Sequence, residues 1–187
     1  MEKIRSFISL DINNEVKKEI EYYIKKNNLI DIFEGAKWVD LENIHLTLAF
    51  LGDINKNIIP LLKNIISELA KNNKPFLLKL CKFGFFPNHK CAKVFWIGME
   101  NSHQLLKLKT DLDYKLDEIG LNYDVKPFRP HLTLARFRYP FKFDTIRYKQ
   151  KLNISTSFEA NNINLVKSEL FNTGPKYTNI FSCELKK

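Results

Sequence analysis

The pentapeptide His-Leu-Thr-Leu-Ala occurs at residues 45–49 and again, unchanged, at residues 131–135, about half the chain length further on. In an extended strand alternate side chains point to opposite faces, so His45 and Thr47 emerge on one side while the two leucines face the other. The leucine side is suited to a hydrophobic core and the histidine side to an open surface. Two copies, one in each half, therefore predict two similar strands and a pseudo-two-fold organisation.

Strands and helices alternate on both sides of the repeat. Apolar runs predict strands at 3–10, 36–40, 43–51, 76–86, 91–99, 121–126, 130–138, 156–170 and 177–185, with Gly52 and Asp53 closing the third. Helical spacing predicts helices at 15–26, at 55–73 with Pro60 in its first turn, and from a Ser102 cap to Gly120, and it allows a short helix near Thr145. No linker composition separates these elements, so the sequence predicts one α+β domain with mainly antiparallel strands.

The composition is typical of a globular protein that carries a basic surface. Of 187 residues 44% are hydrophobic and 27% are charged, and the net charge of +9 favours an anionic partner such as nucleic acid. The lysines are dispersed, so a general compositional bias explains the charge equally well. Three cysteines and the absence of a signal-like start favour reduced thiols and a cytoplasmic protein. No apolar run approaches the roughly 18 residues that a membrane span requires.

Two histidines in matched settings suit proton transfer near neutral pH, because the imidazole pKa of about 6.5 makes both protonation states accessible. Opening a cyclic phosphodiester with water needs one group that takes a proton and another that gives one. Threonine hydroxyls can donate hydrogen bonds to the phosphate oxygens. We therefore predict that His45 and His131 form one metal-independent acid–base pair acting on a phosphodiester, with Thr47 and Thr133 on the phosphate.

Other interpretations of these residues are weaker. A single His-x-Thr triplet is usually an ordinary part of a strand, but packing constrains the repeated leucines far more than a half-exposed histidine. Neither copy has the His-Glu-x-x-His pattern of a zinc site, and Cys81, His89 and Cys91 lack the Cys-x-x-Cys spacing. Residues 87–90 are more simply the turn of a hairpin.

The sequence around both copies extends the match to a known family. The segments concerned are 5–10, Trp38-Val39, 43–52, 95–98, 128–136, 168–170 and 174–177. Together they resemble the 2H phosphoesterase family, and within it the RNA 2′,3′-cyclic phosphodiesterases once described as 2′-5′ RNA ligases.

The resemblance implies a single bilobal domain over 1–187, with two mainly antiparallel sheets facing a central cleft and helices on the outside. It implies hydrolysis of RNA 2′,3′-cyclic phosphate ends to 2′-phosphomonoesters without a metal or cofactor, with 2′-5′ ligation as the reverse chemistry. His45 is then the proton donor and His131 the proton acceptor. The expected partner is RNA with a cyclic phosphate end, nucleotides are further candidates for the cleft, and a monomer is expected.

The family also has a phosphate-contacting arginine that matches Arg136. On an unbroken strand Arg136 would share the face of the leucines, so it reaches the cleft only if a bulge or the strand end reorients it. The alternation of side chains along a strand places Arg129 and Arg5 more favourably for the cleft than Arg136. Phe7 is a further candidate, as are Lys176 and Tyr177 at the expected rim of the cleft.

Two alternatives remain open from the sequence. One is a related phosphodiesterase that acts on a small cyclic nucleotide or an ADP-ribose cyclic phosphate. The other is a non-catalytic RNA-binding module. Four aromatic residues could stack on bases but are expected to fill the core instead: Phe83, Phe85, Phe86 and Trp96.

Overall fold

A computed structural model describes residues 2–144, 146–147, 153–172 and 174–186. The helices are α1 (Asn14–Lys26), α2 (Leu29–Ile32), α3 (Ile59–Asn72) and α4 (His103–Glu118), and short 3₁₀ turns occupy Leu41–Asn43 and Lys56–Ile58. The strands are β1 (Lys3–Asp11), β2 (Lys37–Trp38), β3 (His45–Asn55), β4 (Phe76–Phe86), β5 (Ala92–Met99), β6 (His131–Phe141), β7 (Asn153–Ala160), β8 (Asn162–Phe171) and β9 (Gly174–Glu184).

The described strands form one antiparallel sheet in the order β7-β4-β5-β6-β3-β1-β8-β9, and the short β2 pairs with β6. The two repeat strands, β3 and β6, meet at the centre through a single residue pair, Leu46 opposite Leu132. The predicted α+β class with antiparallel strands is confirmed. The two expected sheets are the halves of one sheet, because this central pair connects them. We call β3, β1, β8 and β9 the first lobe and the remaining strands the second lobe.

The order of elements repeats between the halves of the chain. β1, α1 and β3 form a strand, a helix and a histidine strand, and β5, α4 and β6 repeat that series. β4 comes after the first series in the chain but pairs with β5, a strand of the second series. In the same way β8 comes after the second series but pairs with β1, a strand of the first. Each lobe therefore contains strands from both halves, as expected for a pseudo-two-fold arrangement.

Capping residues mark the ends of the long helices. The Asn13 side chain accepts a hydrogen bond of 2.9 Å from the Val16 N–H and caps α1. The Ser102 hydroxyl accepts one of 3.2 Å from the Leu105 N–H and caps α4. Gly120 follows α4 with a φ of +63°, a left-handed conformation that glycine adopts at low cost.

The hydrophobic core lies behind the repeat strands. Leu46 and Leu132 are almost completely buried, and the apolar faces of the helices join the same cluster. The buried apolar residues of the three long helices are Val16, Ile20 and Ile24 in α1, Leu62, Ile65, Ile66, Leu69 and Ala70 in α3, and Leu105, Leu108, Leu112 and Leu116 in α4. This packing holds the leucine face of each repeat against the core and leaves the histidine face free.

Three expectations about individual elements are wrong, and one element was not expected. The segment 121–126 is a loop, because Tyr123 packs beside α4 and Asp124 makes only an isolated backbone hydrogen bond to β3 instead of a ladder. The run 156–170 is broken at residue 161 into two strands, β7 and β8. β3 does not end at Gly52, whose left-handed φ of +66° lies at a bulge, so the strand continues to Asn55. The sequence also did not predict α2.

The expected short helix near Thr145 lies outside the described residues. Among the helices of the described part of the chain, none is long and apolar enough to cross a membrane.

Candidate active site

One cleft at the junction of β3 and β6 brings the repeated residues together. His45 and Thr47 from the first lobe and His131 and Thr133 from the second all line it. Its other walls come from Phe7, Lys37, Trp38, Val39, Asp40, Asn43, Phe50, Arg136, Ser168, Gly174, Pro175 and Tyr177. Two histidines and two hydroxyls therefore face one enclosed space.

Each histidine is anchored through the same ring nitrogen. Nδ1 of His45 lies 2.7 Å from the carbonyl oxygen of Asn43, and Nδ1 of His131 lies 2.6 Å from that of Arg129. A carbonyl only accepts, so in both rings Nδ1 carries the proton and donates, which leaves Nε2 as the basic nitrogen of the neutral ring. The anchoring residue lies two positions before the histidine in both copies, so the repeat includes this support.

The hydroxyl of Thr47 lies next to the free nitrogen of His45. Its Oγ1 is 3.0 Å from Nε2 of that ring. The hydroxyl donates to Nε2 when the imidazole is neutral and accepts from it when the imidazole is protonated. The bond therefore persists through a change of protonation state and keeps the ring in position.

A β-bulge turns Arg136 into the cleft. Thr133 pairs with Trp96, but the next pair is Ala135 with Phe95, so β6 has one extra residue between them. Leu134 and Ala135 are consequently both buried, and Arg136 returns to the face of Thr133.

The same bulge occurs in the first copy. Thr47 pairs with Ser9 and Ala49 with Ile8, which again leaves one extra residue, and the bulge brings Phe50 into the cleft. The two lobes therefore place different side chains at equivalent positions, an arginine and a phenylalanine.

Aromatic rings fix the position of both imidazoles. Phe7 stacks on His45 with ring centroids 4.6 Å apart, and Tyr177 meets the same imidazole edge-on at 5.3 Å. Phe86 meets His131 edge-on at 4.9 Å, and Trp96 lies 6.2 Å from it. These contacts leave the imidazoles little rotational freedom.

The four aromatic residues that were expected in the core divide into two pairs. Phe83 and Phe85 are buried in the core as predicted. Phe86 and Trp96 are only half-buried and pack against His131. The prediction of core packing is therefore confirmed for Phe83 and Phe85 and wrong for Phe86 and Trp96, because the end of β4 and the middle of β5 lie beside the cleft.

Burial lowers the pKa of both histidines below the usual value of 6.5, and other groups modify this effect differently. At His45 the hydrogen bond to Asn43 and the negative charge of Asp11 raise the pKa, while Lys17 and His131 lower it. At His131 the hydrogen bond to Arg129 raises the pKa and the positive charge of Arg136 lowers it. Burial thus favours the neutral form of both rings; an acidic neighbour, Asp11, partly opposes this at His45, whereas the charged neighbour of His131, Arg136, adds to it.

The remaining candidates from the sequence divide between the cleft and its surroundings. Phe7 and Tyr177 line the cleft. Arg5 instead lies over the ring of Phe50 at 4.7 Å, and Arg129 offers its carbonyl to His131 while its side chain faces a neighbouring groove. Lys176 is exposed in a shallow depression outside the cleft.

Four polar cleft residues were not predicted as site residues: Lys37, Asp40, Asn43 and Ser168. Lys37 pairs with Arg136 in the short ladder between β2 and β6, which adds a second cation to the cleft. Asn43 also donates from its side-chain amide to the Pro175 carbonyl at 3.3 Å, so it links the two walls. The sequence signals for Asn43 are its place in the family-like segment 43–52 and its position two residues before a repeated histidine.

The described residues contain no group of three or more His, Cys, Asp or Glu side chains arranged to hold a metal ion. The turn that carries His89 and Cys91 connects β4 and β5, as the hairpin interpretation predicts.

The fold and the site define a phosphoesterase-like protein with one histidine motif in each lobe, and comparison with known proteins agrees. The model of the LigT-like phosphoesterases matches the chain twice, over residues 10–96 and 97–177. The chain belongs to this family. The two matches correspond to the two halves that carry the repeated motif.

Individual relatives match over nearly the whole chain. An RNA 2′,3′-cyclic phosphodiesterase of Thermotoga maritima is 32% identical and covers 98% of this chain and 96% of its own. Among solved structures, TT0787 of Thermus thermophilus is 27% identical with a TM-score of 0.83, over 97% of this chain and 98% of its own. LigT of Escherichia coli in complex with 3′-AMP is 25% identical with a TM-score of 0.81, over the full length of both chains.

Proposed function

We propose that this protein hydrolyses the 2′,3′-cyclic phosphate ends of RNA to 2′-phosphomonoesters, with His45 as general acid, His131 as general base and no metal ion. The observation that carries the proposal is that two histidines, each with Nδ1 anchored to a carbonyl, line one cleft together with two threonine hydroxyls and Arg136. Relatives named RNA 2′,3′-cyclic phosphodiesterase, at 27 to 33% identity, support the choice of substrate.

The reaction is an in-line displacement at phosphorus. Nε2 of neutral His131 takes a proton from a water molecule as the water oxygen bonds to phosphorus. The bond between phosphorus and the 3′ oxygen breaks, and Nε2–H of protonated His45 gives its proton to that oxygen. The products are a 2′-phosphomonoester and a free 3′-hydroxyl, and the histidines have exchanged protonation states.

The charges around the two rings support this division of roles. Asp11 raises the pKa of His45 against the lowering by burial, Lys17 and His131, and so helps this ring to keep a proton that it can give. Arg136 lowers the pKa of His131, which favours a ring that can accept one. The two rings also interact with each other, so their protonation steps belong to the pair.

Hydrogen bonds and a cation stabilise the charge that develops on phosphorus. Thr47 and Thr133 occupy matching positions, and their hydroxyls can donate to the two non-bridging oxygens. The guanidinium of Arg136 can add a charge-assisted bond, which is roughly twice as strong as a neutral one. An RNA 5′-hydroxyl in place of water would form a 2′-5′ linkage by the same proton transfers, so ligation is a competing outcome of this mechanism.

The test is incubation of purified protein with an RNA oligomer ending in a 2′,3′-cyclic phosphate, in the presence and absence of EDTA. Chromatography against authentic 2′- and 3′-phosphate standards identifies the product. We expect the 2′-monoester at equal rates in both buffers, and a loss of at least a thousandfold in His45→Ala and His131→Ala. Formation of the 3′-monoester would disprove the mechanism, and loss of activity in EDTA would disprove its metal independence.

Two controls separate the alternatives. Faster turnover of a cyclic mononucleotide or an ADP-ribose cyclic phosphate than of the oligomer would favour a small-molecule substrate. Tight RNA binding without turnover, unchanged in the alanine variants, would favour a binding module.

A further inference from the structure

A second groove lies directly beside the cleft, on the side of His131. It is lined by Thr47, Leu48, Ala49, Phe50, Phe86, Lys109, Asp124, Lys126, Pro127, Phe128, Arg129 and His131. Thr47, Phe50 and His131 also line the cleft, so the groove opens into the reacting centre. A chain that reaches the histidines from this side would lie in the groove.

The groove combines aromatic rings with cations. Phe50, Phe86 and Phe128 provide apolar surface, and the side chains of Lys126 and Arg129 are exposed at its edge. Arg129 forms no ion pair with any described residue, whereas Lys126 reaches Asp124 at 2.9 Å with 83% of its own side chain exposed. Aromatic surface for a base and exposed cations for the backbone are the features that bind single-stranded nucleic acid.

The loop that forms the groove is fixed in place. The Asp124 N–H donates to the Phe50 carbonyl at 3.0 Å, which ties the loop to β3. Lys109 is buried, pairs with Asp113 and places its ammonium over the rings of Tyr123 and Phe128, at 5.7 and 5.5 Å. A site whose parts are already held loses less conformational entropy when a ligand binds.

We propose that this groove binds the penultimate nucleotide of the RNA, the one that precedes the nucleotide with the cyclic phosphate. Its base lies against Phe128 and the phosphate that links the two nucleotides lies near Arg129. This inference rests on the proposed function and adds a second subsite to it. It makes the protein prefer an RNA end of two or more nucleotides over a cyclic mononucleotide.

The test compares kcat/KM for three substrates with the same terminal base: a 2′,3′-cyclic mononucleotide, a dinucleotide with a 2′,3′-cyclic phosphate end, and that dinucleotide with an abasic first position. We expect the intact dinucleotide to exceed the mononucleotide by at least tenfold, and the abasic one to lose most of this advantage. In Phe128→Leu and Arg129→Gln the preference should fall by about tenfold. Tyr114→Leu, at an exposed ring on α4 that does not line the groove, should keep it.

Several results would overturn the subsite. They are equal kcat/KM for mononucleotide and dinucleotide in the wild type, an abasic dinucleotide as good as the intact one, or variants that slow all substrates equally. If the wild type turned over none of them, the proposed function would fail separately. Calorimetry with the 2′-phosphate products would then decide, since the subsite requires that the dinucleotide bind more tightly than the mononucleotide and that Phe128→Leu remove the difference.

Discussion

Replacing Arg136 by methionine removes the cation that the β6 bulge brings into the cleft. A charge-assisted hydrogen bond to a phosphate oxygen contributes about 1.5–3 kcal/mol, so kcat/KM should fall by roughly 10- to 150-fold. The same change should raise the pKa of His131, because the positive charge of Arg136 lowers it in the wild type. The fall in kcat/KM and the rise in the pKa of His131 both come from the loss of the Arg136 charge, and each is measured independently.

Steady-state kinetics on an RNA end with a 2′,3′-cyclic phosphate gives the first effect, and an NMR titration of the His131 ring protons gives the second. Arg138→Met is the matched control, since Arg138 lies two residues further along β6, is exposed and stacks on Tyr139 at 5.5 Å. We expect Arg138→Met to behave as the wild type in both measurements. An Arg136→Met enzyme with unchanged kcat/KM, or with a lower pKa of His131, would refute the reasoning.

Further predictions follow from the site and the helix caps. Because burial lowers the pKa of both histidines, a plot of kcat/KM against pH should be a bell with its maximum below about 6.5, and a maximum above pH 8 would contradict the acid–base pair. A Cβ at Gly84 would lie 2.2 Å from the Trp96 indole, so Gly84→Ala should displace that ring toward His131 and lower kcat about tenfold; unchanged kcat would show that the indole moves elsewhere. Asn13→Ala removes the α1 cap and should lower the free energy of unfolding by about 1 kcal/mol in urea denaturation, whereas no change would mean that water replaces the cap.

The repeated pentapeptide made much of the fold predictable, because it combines a core-facing leucine pattern with a polar pattern on the other face. The Ser102 helix cap and the β4–β5 hairpin depend on a few adjacent residues, and these predictions are confirmed. The convergence of His45 and His131 was predictable from symmetry, since two equivalent strands on either side of a two-fold axis bring equivalent residues together.

Features that depend on pairing between distant strands were less predictable. From the sequence, Arg136 reaches the cleft only if a bulge reorients it, and the sequence does not show whether that bulge forms. The bulge depends on the β5–β6 register, which neither strand encodes alone. Lys37 lies in the strand predicted at 36–40, but its place in the cleft depends on the pairing of β2 with β6, which the sequence of that strand does not show. Residues 121–126 have a strand-like composition, but a strand requires a continuous ladder, and this loop makes one backbone hydrogen bond to β3 and packs on α4.

The exchange of β4 and β8 between the lobes has a consequence for the connectivity of the molecule. A break in the backbone between β5 and α4, near the middle of the chain, would leave β4 in one fragment and β7 in the other, although both belong to the second lobe. Neither fragment could complete its own hydrogen-bonded ladder. Two such fragments should therefore be inactive apart and regain activity only on reassembly, in a complex that rebuilds both lobes at once.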